Sequence, residues 1–289
     1  DGMSCGQIAL NRIGVTPSKY YAAEIDKYAI QVTQANYPNT IQLGSVTEWR
    51  EWDLDWSSID LVSGGFPCQA WSMAGKQLGD KDERGMLFWV MLDIMKHAKS
   101  HNPKIKFLIE NVKMKKEFEE YITHHTEQAL GEVNKVLINS ALVSAQNRKR
   151  FYWTNWNVEQ PEDKGIKFQS ILDNGYVERE KSWAMLNSWN RFPKKTESAI
   201  GRYKRSMMPI IFNDISFDFN NGWREPTVAE AERLQTVPSG YCKSVSDKHA
   251  KGMLGNGWTV DVVAHIYSQM ELPKKKYEGQ IDLFKEQEK

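Results

Sequence analysis

Apolar segments alternate with helix-like segments over the first half of the chain. Residues 20–25, 59–63 and 106–109 are short apolar runs, and each is followed by a stretch whose apolar positions recur at helical spacing. These stretches are residues 28–36, 85–97 and 117–130, and a further helix is expected at residues 7–13. Alternation of this kind predicts βαβ units around a parallel sheet.

The second half of the chain is less regular. Residues 135–143 and 150–156 read as strands with no helix between them, which predicts an antiparallel hairpin at a sheet edge. Periodicity then fades between residues 174 and 222, and helical spacing returns at 228–234 and 260–267. The pattern predicts an α/β domain interrupted by a small second domain.

Composition narrows the class of protein. The 289 residues are 40% hydrophobic and 11% aromatic, enough for one core and a smaller satellite domain. The three cysteines, Cys5, Cys68 and Cys242, lack metal-ligand spacing, and no signal peptide or long apolar span is visible. We therefore expect a soluble protein of a reducing compartment, with no metal and no membrane segment.

A net charge of +1 gives no global sign of nucleic-acid binding, but one segment is strongly basic. Residues 179–205 contain eight Lys or Arg against two Glu, interleaved with Trp183, Trp189, Phe192 and Tyr203. Basic residues supply phosphate contacts, and aromatic side chains supply a rigid groove surface. The candidates for such contacts are Lys181, Arg191, Lys194, Lys195, Arg202, Lys204 and Arg205. A solvated loop is the alternative.

The most informative cysteine is Cys68. It follows the apolar residues 59–62 and the turn Gly64-Gly65-Phe66-Pro67. In an open α/β sheet, chemistry takes place beyond the carboxyl ends of the strands, and glycine and proline together allow a tight, rigid turn there. Cys68 is thus a candidate nucleophile. The alternative is a buried cysteine that acts as a small hydrophobic residue.

Charged residues end the neighbouring strands. Glu110 follows the buried run 107–109, so it should lie on the same rim as Cys68, either as a catalytic acid or as a helix-capping carboxylate. Arg148 and Arg150 are two residues apart and would share one face of a strand, unless they belong to a solvated basic face. Glu24 ends the strand 20–25, where a carboxylate can accept hydrogen bonds from ribose hydroxyls.

Together these motifs resemble the ordered motif set of the DNA (cytosine-5)-methyltransferases. The resemblance runs from the first residue to about residue 270. The motifs are Asp1-Gly2-Met3-Ser4-Cys5-Gly6, Ala23-Glu24, Pro67-Cys68-Gln69, Arg84-Gly85-Met86-Leu87-Phe88, Glu110-Asn111-Val112, Gln146-Asn147-Arg148-Lys149-Arg150, Arg233-Leu234-Gln235-Thr236-Val237-Pro238 and Gly255-Asn256-Gly257.

The resemblance implies a Rossmann-like S-adenosylmethionine-dependent methyltransferase sheet with a small target-recognition domain. Residues 1–173 and 223–272 would form the catalytic domain, and residues 174–222 the recognition domain. The family places a buried strand just before the position of Asp1, so we expect that strand to be trimmed from this sequence. A monomer in the bacterial or phage-infected cytoplasm, associated with the nucleoid, is the expected state.

The resemblance also implies roles for the strand-end residues. Cys68 would add to C6 of a cytosine flipped out of double-stranded DNA, and Glu110 would contact the N3/N4 edge. Arg148 would contact the target base and support the carboxylate, leaving Arg150 a structural or phosphate role. Gln69 is a further expected DNA contact.

The methyl donor implied by the resemblance is S-adenosylmethionine. The expected cofactor-binding residues are Gly2, Met3, Cys5, Glu24, Ile25, Ser45, Val46, Pro67, Leu87, Asn256, Gly257 and Trp258. Two positions depart from the family pattern. Ser45 stands where the family often has Asp to contact adenine, and Cys5 is expected to be a small loop residue without nucleophilic function.

Two rival functions stay open. A tRNA cytosine-5 methyltransferase would use identical chemistry, although the basic aromatic segment favours DNA. A catalytically silent DNA-binding relative is disfavoured by the joint presence of Cys68, Glu110 and Arg148. Neither the recognised bases nor the presence of a restriction partner can be inferred from these motifs.

The C-terminal residues 273–289 form a charged segment that begins at Pro273 and is expected to be flexible. Within it, Gln280, Leu283 and Phe284 resemble the peptide by which bacterial proteins bind the replication sliding clamp. A tail that folds back on the domain is the alternative.

Overall fold

The computed structural model describes residues 1–67 and 83–271 of the chain. Within them the helices are α1 (Cys5–Arg12), α2 (Lys27–Asn36), α3 (Glu83–His101), α4 (Lys116–Leu130), α5 (Thr196–Lys204), α6 (Val228–Leu234), α7 (Asp247–Asn256) and α8 (Val260–Ser268). The strands are β1 (Tyr21–Ala22), β2 (Ile41–Gln42), β3 (Leu61–Gly65), β4 (Lys106–Val112), β5 (Asn134–Asn139), β6 (Gln146–Asn147), β7 (Lys149–Thr154), β8 (Ser182–Trp183), β9 (Ile211–Phe212) and β10 (Trp223–Arg224).

A four-stranded sheet in the order β3-β4-β7-β5 forms the centre of the fold. Strands β3 and β4 are parallel and joined through α3, which confirms the predicted βαβ unit. The predicted hairpin is formed by β5 and β7, but β7 lies inside the sheet between β4 and β5, so only β5 is at the edge. The reason is that Phe151, Tyr152 and Trp153 are all buried, and successive residues of a strand point to opposite faces.

Both faces of this sheet are covered. On one face, Leu108 and Tyr152 belong to a core cluster that also contains residues of α1 and α8. On the other, Phe107 and Ile109 pack in a cluster with Phe88 of α3 and residues of α4. Helices on both faces of a mixed sheet give the α/β class that the sequence pattern predicts.

Some boundaries differ from prediction. Strand β1 is only two residues long and pairs in parallel with β2, which the sequence pattern missed, as it also missed α7. The strand expected at 135–143 ends at Asn139, whose side chain accepts hydrogen bonds from the backbone N–H of Ala141 at 3.2 Å and of Arg148 at 3.0 Å. These bonds stabilise a 3-10 turn over Ser140–Leu142 in place of strand pairing.

Residues 182–224 carry a small core of their own. Ala199, Ile210 and Phe212 are buried together, and four partly buried aromatic residues pack against them, namely Phe192, Tyr203, Phe219 and Trp223. The beginning of this segment also joins the larger domain, because β8 pairs in parallel with β6.

Glu230 on α6 anchors both ends of the segment 174–222. Its side chain is fully buried and accepts two hydrogen bonds from Arg224, at 2.7 and 2.8 Å, and one from the backbone N–H of Asp173 at 2.9 Å. Arg224 in turn donates to the carbonyl oxygen of Asn174 at 2.5 Å. Asp173, just before this segment, and Arg224, just after it, are thus both bonded to one carboxylate in the first turn of α6.

Substituting Glu230 by glutamine should lower the free energy of unfolding by about 2–4 kcal/mol. This is the range for losing one partner of a buried pair, reduced because Arg224 is partly exposed. Urea denaturation gives the value. The matched control is Asp173→Asn, which breaks the more exposed Asp173–Arg233 pair and should cost no more than about 1 kcal/mol. Equal effects of the two substitutions would contradict a specific role for Glu230.

None of the helices in the described ranges has the length and apolar character that crossing a bilayer requires. The proposed clamp-binding residues Gln280, Leu283 and Phe284 lie outside the described residues, so that interaction stays a prediction.

Candidate active site

The parallel pairing of β3 and β4 brings the glycine turn beside Glu110. Gly65 is directly opposite Glu110 in the register, and a Cβ atom at Gly65 would lie 3.0 Å from Oε2 of the glutamate. Any larger residue would therefore displace the carboxylate. Beyond Gly65, Phe66 is buried and its carbonyl oxygen accepts a hydrogen bond from the Asn111 side chain at 3.1 Å.

This turn leads to Pro67, which is half-buried and is the last described residue before the gap. Cys68 and Gln69 lie outside the described residues, so their roles stay predictions. Glu110 was expected at the end of its strand but lies within it, since β4 continues to Val112.

The Glu110 carboxylate is held by a donor on each oxygen. Nε of Arg150 lies 2.9 Å from Oε1, and the indole Nε1 of Trp258 donates to Oε2 at 3.1 Å. The side chains of Glu110 and Arg150 are 12% and 14% exposed, so the pair is largely but not completely shielded from water. The result is a preorganised carboxylate beside residues 64–67, which lead to Cys68 and are called the cysteine turn below.

Arg148 and Arg150 have different positions from those expected. The assignment of the carboxylate-supporting role to Arg148 is wrong, because Arg150 makes the ion pair with Glu110. The two arginines do not belong to one strand, since Arg148 lies between β6 and β7 and Arg150 lies within β7.

Arg148 is instead a buried link between segments. Its side chain is 3% exposed and donates to the carbonyl oxygens of Met185 at 2.7 Å, Gly255 at 3.2 Å and Gly257 at 2.9 Å. A guanidinium group has a fixed fork of donors that suits several acceptors at once. Arg148 thereby joins the start of the basic segment to the end of α7.

The loop before α1 has the backbone shape of a ligand-binding turn. Gly2 has φ 66° and Ser4 has φ 61°, and a Cβ atom at Gly2 would meet nothing within 4 Å. Met3 is buried, and its carbonyl oxygen accepts a hydrogen bond from Tyr241 at 2.8 Å. Burial raises the pKa of the Cys5 thiol to about 11, which agrees with the expectation that this cysteine is not a nucleophile.

Glu24 faces this loop. Its carboxylate accepts hydrogen bonds from the backbone N–H of Gly2 at 2.7 Å and of Ile25 and Asp26 at 2.8 Å each. Burial opposes ionisation of this carboxylate, whereas the three backbone N–H donors favour its ionised form. A carboxylate has about four acceptor positions, so capacity remains for one more donor such as a hydroxyl. The neighbouring Ile25 is 76% exposed.

The other expected cofactor residues lie on separate elements. Ser45 caps the 3-10 helix Val46–Glu51, and Leu87 is half-buried on α3. Asn256 is exposed at the last position of α7, and Gly257 is the residue that ends this helix. Trp258 follows directly, and its bond to Glu110 was not foreseen from the sequence.

The predicted DNA contacts divide into two groups. Lys181 donates to the carbonyl oxygens of Ala141 at 2.6 Å and Ser144 at 3.1 Å, so two of its three ammonium donors are engaged within the protein, and its phosphate contact stays a prediction. Arg202 donates to the carbonyl oxygen of Arg191 at 2.7 Å. The exposed cations of the segment are Arg191, Lys194, Lys195, Lys204 and Arg205.

A groove of ≈ 600 Å³ runs beside two of these cations. Arg191 and Lys194 line it from the basic segment, and Lys248 lines it from α7. Phe192 and Trp223 form an aromatic part of its wall. Lys248 was not predicted as part of this basic surface because it is far from the basic segment along the chain, and only the fold brings the two together.

A family model and two curated relatives all relate the chain to DNA methyltransferases. A family model described as C-5 cytosine-specific DNA methylase matches residues 1–187. The chain is 31% identical over 284 residues to the Type II methyltransferase M.NlaX of Neisseria lactamica, covering 87% of this chain and 88% of that protein. It is 30% identical over 283 residues to the Type II methyltransferase M1.ScrFI of Lactococcus lactis subsp. cremoris, covering 86% and 71%.

Among solved structures, the fold is similar to that of a Spodoptera frugiperda DNMT2 mutant. The TM-score is 0.61 at 19% sequence identity, and the match covers 92% of this chain and 95% of that one. At this level of identity the likeness concerns the fold.

Proposed function

Because the chain belongs to the C-5 cytosine-specific DNA methylase family, we propose that it methylates C5 of a cytosine flipped out of a short DNA sequence through a covalent adduct between Cys68 and C6. The chain is a DNA cytosine-5 methyltransferase of the kind found with Type II restriction systems. The observation that carries the finer proposal is the Glu110 carboxylate, fixed by Arg150 and Trp258 beside the turn that leads to Cys68.

The chemistry needs a nucleophile because C5 of cytosine is itself a poor one. The Cys68 thiolate forms a bond to C6, and the electrons of the C5–C6 double bond become available at C5. Glu110 contacts the N3 edge of the ring and balances the charge that develops there. After C5 has gained its methyl group, a base removes the C5 proton and the bond between C6 and sulfur breaks.

Arg150 acts on this step through Glu110. Its guanidinium holds one carboxylate oxygen, so the acid is already oriented when the base arrives. A cytosine inside the duplex cannot reach these groups, and the target must therefore leave the stack.

S-adenosylmethionine, when bound, supplies the electrophilic methyl group. The open turn at Gly2 and the oriented carboxylate of Glu24 fit a ribose-containing ligand. The exposed Ile25 offers an apolar surface for an adenine ring. We assign the remaining cofactor contacts to Ser45, Val46, Pro67, Leu87, Asn256, Gly257 and Trp258.

Substituting Glu24 by glutamine should raise the Kd for S-adenosylmethionine about tenfold or more, because a hydrogen bond to an ionised acceptor is lost. Isothermal titration calorimetry measures it. The exposed Glu51 on the neighbouring 3-10 helix provides the control Glu51→Gln, which should bind as the wild type does. An unchanged Kd for Glu24→Gln would rule out this position of the ribose.

Residues 174–222 form the recognition domain in this proposal. Their separate small core supports that assignment, as do the exposed Arg191, Lys194, Lys195, Lys204 and Arg205. The groove that Arg191 and Lys194 share with Lys248 offers cationic side chains to the phosphate backbone.

Methyl transfer from radiolabelled S-adenosylmethionine tests the function. Purified protein is offered duplex DNA and, separately, tRNA, and the digested nucleosides are separated by chromatography. The expected product is 5-methyldeoxycytidine from DNA alone. Label in tRNA cytidine would favour the RNA enzyme, and no label in either would indicate a silent relative.

A further inference from the structure

Trp258 touches both halves of the catalytic centre. Its indole N–H bonds to Oε2 of Glu110 at 3.1 Å. Its ring atom Cζ3 is 3.6 Å from the position that a Cβ atom on Gly6 would occupy. One residue therefore packs against the first turn of α1, directly after the Gly2 loop, and holds the carboxylate.

The space for this bond is provided by a glycine. A Cβ atom at Gly65 would lie 3.0 Å from Oε2 of Glu110 and 3.8 Å from Nε1 of Trp258. The missing side chain thus leaves room for both partners at the start of the cysteine turn. With Arg150 on the other oxygen, the carboxylate has a donor from each of two different elements.

The backbone on both sides of Trp258 is also fixed. The carbonyl oxygen of Gly257 accepts hydrogen bonds from Arg148 at 2.9 Å and from Gln235 at 3.2 Å. On the other side, the Thr259 hydroxyl donates to Oε1 of Gln235 at 2.8 Å. Arg148, Gln235 and Thr259 are all buried, so the indole is presented from a rigid support.

We propose that Trp258 is a positioning residue whose indole N–H fixes the second oxygen of Glu110 and links the carboxylate to the first turn of α1, directly after the Gly2 loop. The proposal rests on the function proposed above, in which Glu110 contacts the target base. It goes beyond a packing contact with the cofactor, because the indole nitrogen and not the ring surface carries the effect. Fixing a glutamate side chain that is free to rotate costs conformational entropy, and the bond from Trp258 would meet that cost before DNA binds.

The variant Trp258→Phe distinguishes an effect of the indole N–H from an effect of ring packing, since phenylalanine keeps an aromatic ring but has no N–H. We expect kcat for methyl transfer to fall about 10- to 100-fold, the effect of losing a hydrogen bond to a charged group. The Kd values for S-adenosylmethionine and for DNA should stay within about twofold of wild type. The matched control is Trp156→Phe, which removes a buried indole N–H that donates to the carbonyl oxygen of Ile266 at 3.1 Å and should leave kcat unchanged.

A double-mutant cycle with Glu110→Gln distinguishes positioning from general damage. If Trp258 acts through the carboxylate, adding Trp258→Phe to Glu110→Gln should cause little further loss of the residual single-turnover rate. The proposal would be overturned if Trp258→Phe lowered the single-turnover rate by the same factor in the wild-type and Glu110→Gln proteins. A kcat of Trp258→Phe within twofold of wild type would overturn it as well.

A second readout does not need activity. With ¹⁵N-labelled tryptophan, the indole N–H resonance that is absent in Trp258→Phe identifies Trp258, and it should shift when Glu110 is replaced by glutamine. The Trp156 resonance should not shift. An unmoved Trp258 resonance would overturn the proposal even if the enzyme methylates DNA, whereas a shifted resonance in a protein without methyl transfer would count against the proposed function alone.

Discussion

Replacing Cys68 by alanine should abolish cytosine methylation, lowering kcat by at least about 10⁴-fold, because no other group of the proposed site can form the bond to C6. Incorporation of labelled methyl groups into duplex DNA measures the loss. DNA containing 5-fluorocytosine gives a second measurement, since fluorine cannot leave C5 as a proton does and the protein should stay covalently attached. The Cys68→Ala variant should form no such adduct in a denaturing gel.

The control for this experiment is Cys242→Ala. Cys242 is buried beside Met3, and burial raises the pKa of its thiol well above the ordinary value. Its removal should leave both methylation and adduct formation intact. An adduct in Cys68→Ala that disappears in Cys242→Ala would show that the nucleophile has been assigned to the wrong cysteine.

Substitutions of the two motif arginines should affect different properties, namely kcat for Arg150 and stability for Arg148. Arg150→Ala should lower kcat about 10²- to 10³-fold, the typical effect of removing one preorganised donor from a charged catalytic group, with little change in stability. Arg148→Met should instead lower the free energy of unfolding by about 3 kcal/mol, because the carbonyl oxygens of Met185, Gly255 and Gly257 each lose a charged donor. Steady-state kinetics and urea denaturation of both variants give the comparison.

The reverse result would restore the expectation drawn from the motif alone. If Arg148→Met were as stable as wild type but inactive, and Arg150→Ala remained active, Arg148 would be the residue that supports Glu110. Arg150→Lys provides a further check, since lysine keeps the charge but cannot reproduce the geometry of the guanidinium group.

The arginine pair shows where sequence reasoning ends. Spacing predicts that two residues at i and i+2 share a face of a strand, but only if the strand is continuous. Here Arg148 lies one residue before β7, and its side chain donates to the carbonyl oxygens of Met185, Gly255 and Gly257. Which arginine meets the carboxylate is decided by these contacts between distant segments, which are not visible in the motif.

Local features were predictable for a physical reason. Helices such as α4 and α6, and the strands around Glu110, follow from the periodicity of apolar residues, which is set by short-range geometry. The bond between Trp258 and Glu110 joins residues far apart in the chain, and so does the groove that Lys248 lines together with Arg191 and Lys194. Contacts between residues far apart in the chain leave no periodic pattern of apolar residues in the sequence.

Bisulfite sequencing of plasmid DNA from cells that express the wild-type protein or its Cys68→Ala variant tests covalent cytosine-5 methylation most directly. We predict unconverted cytosines at one position of a single short sequence in wild-type samples, and full conversion at the same sites in the variant. Full conversion in both samples, or the same unconverted sites in both, would contradict the proposed reaction.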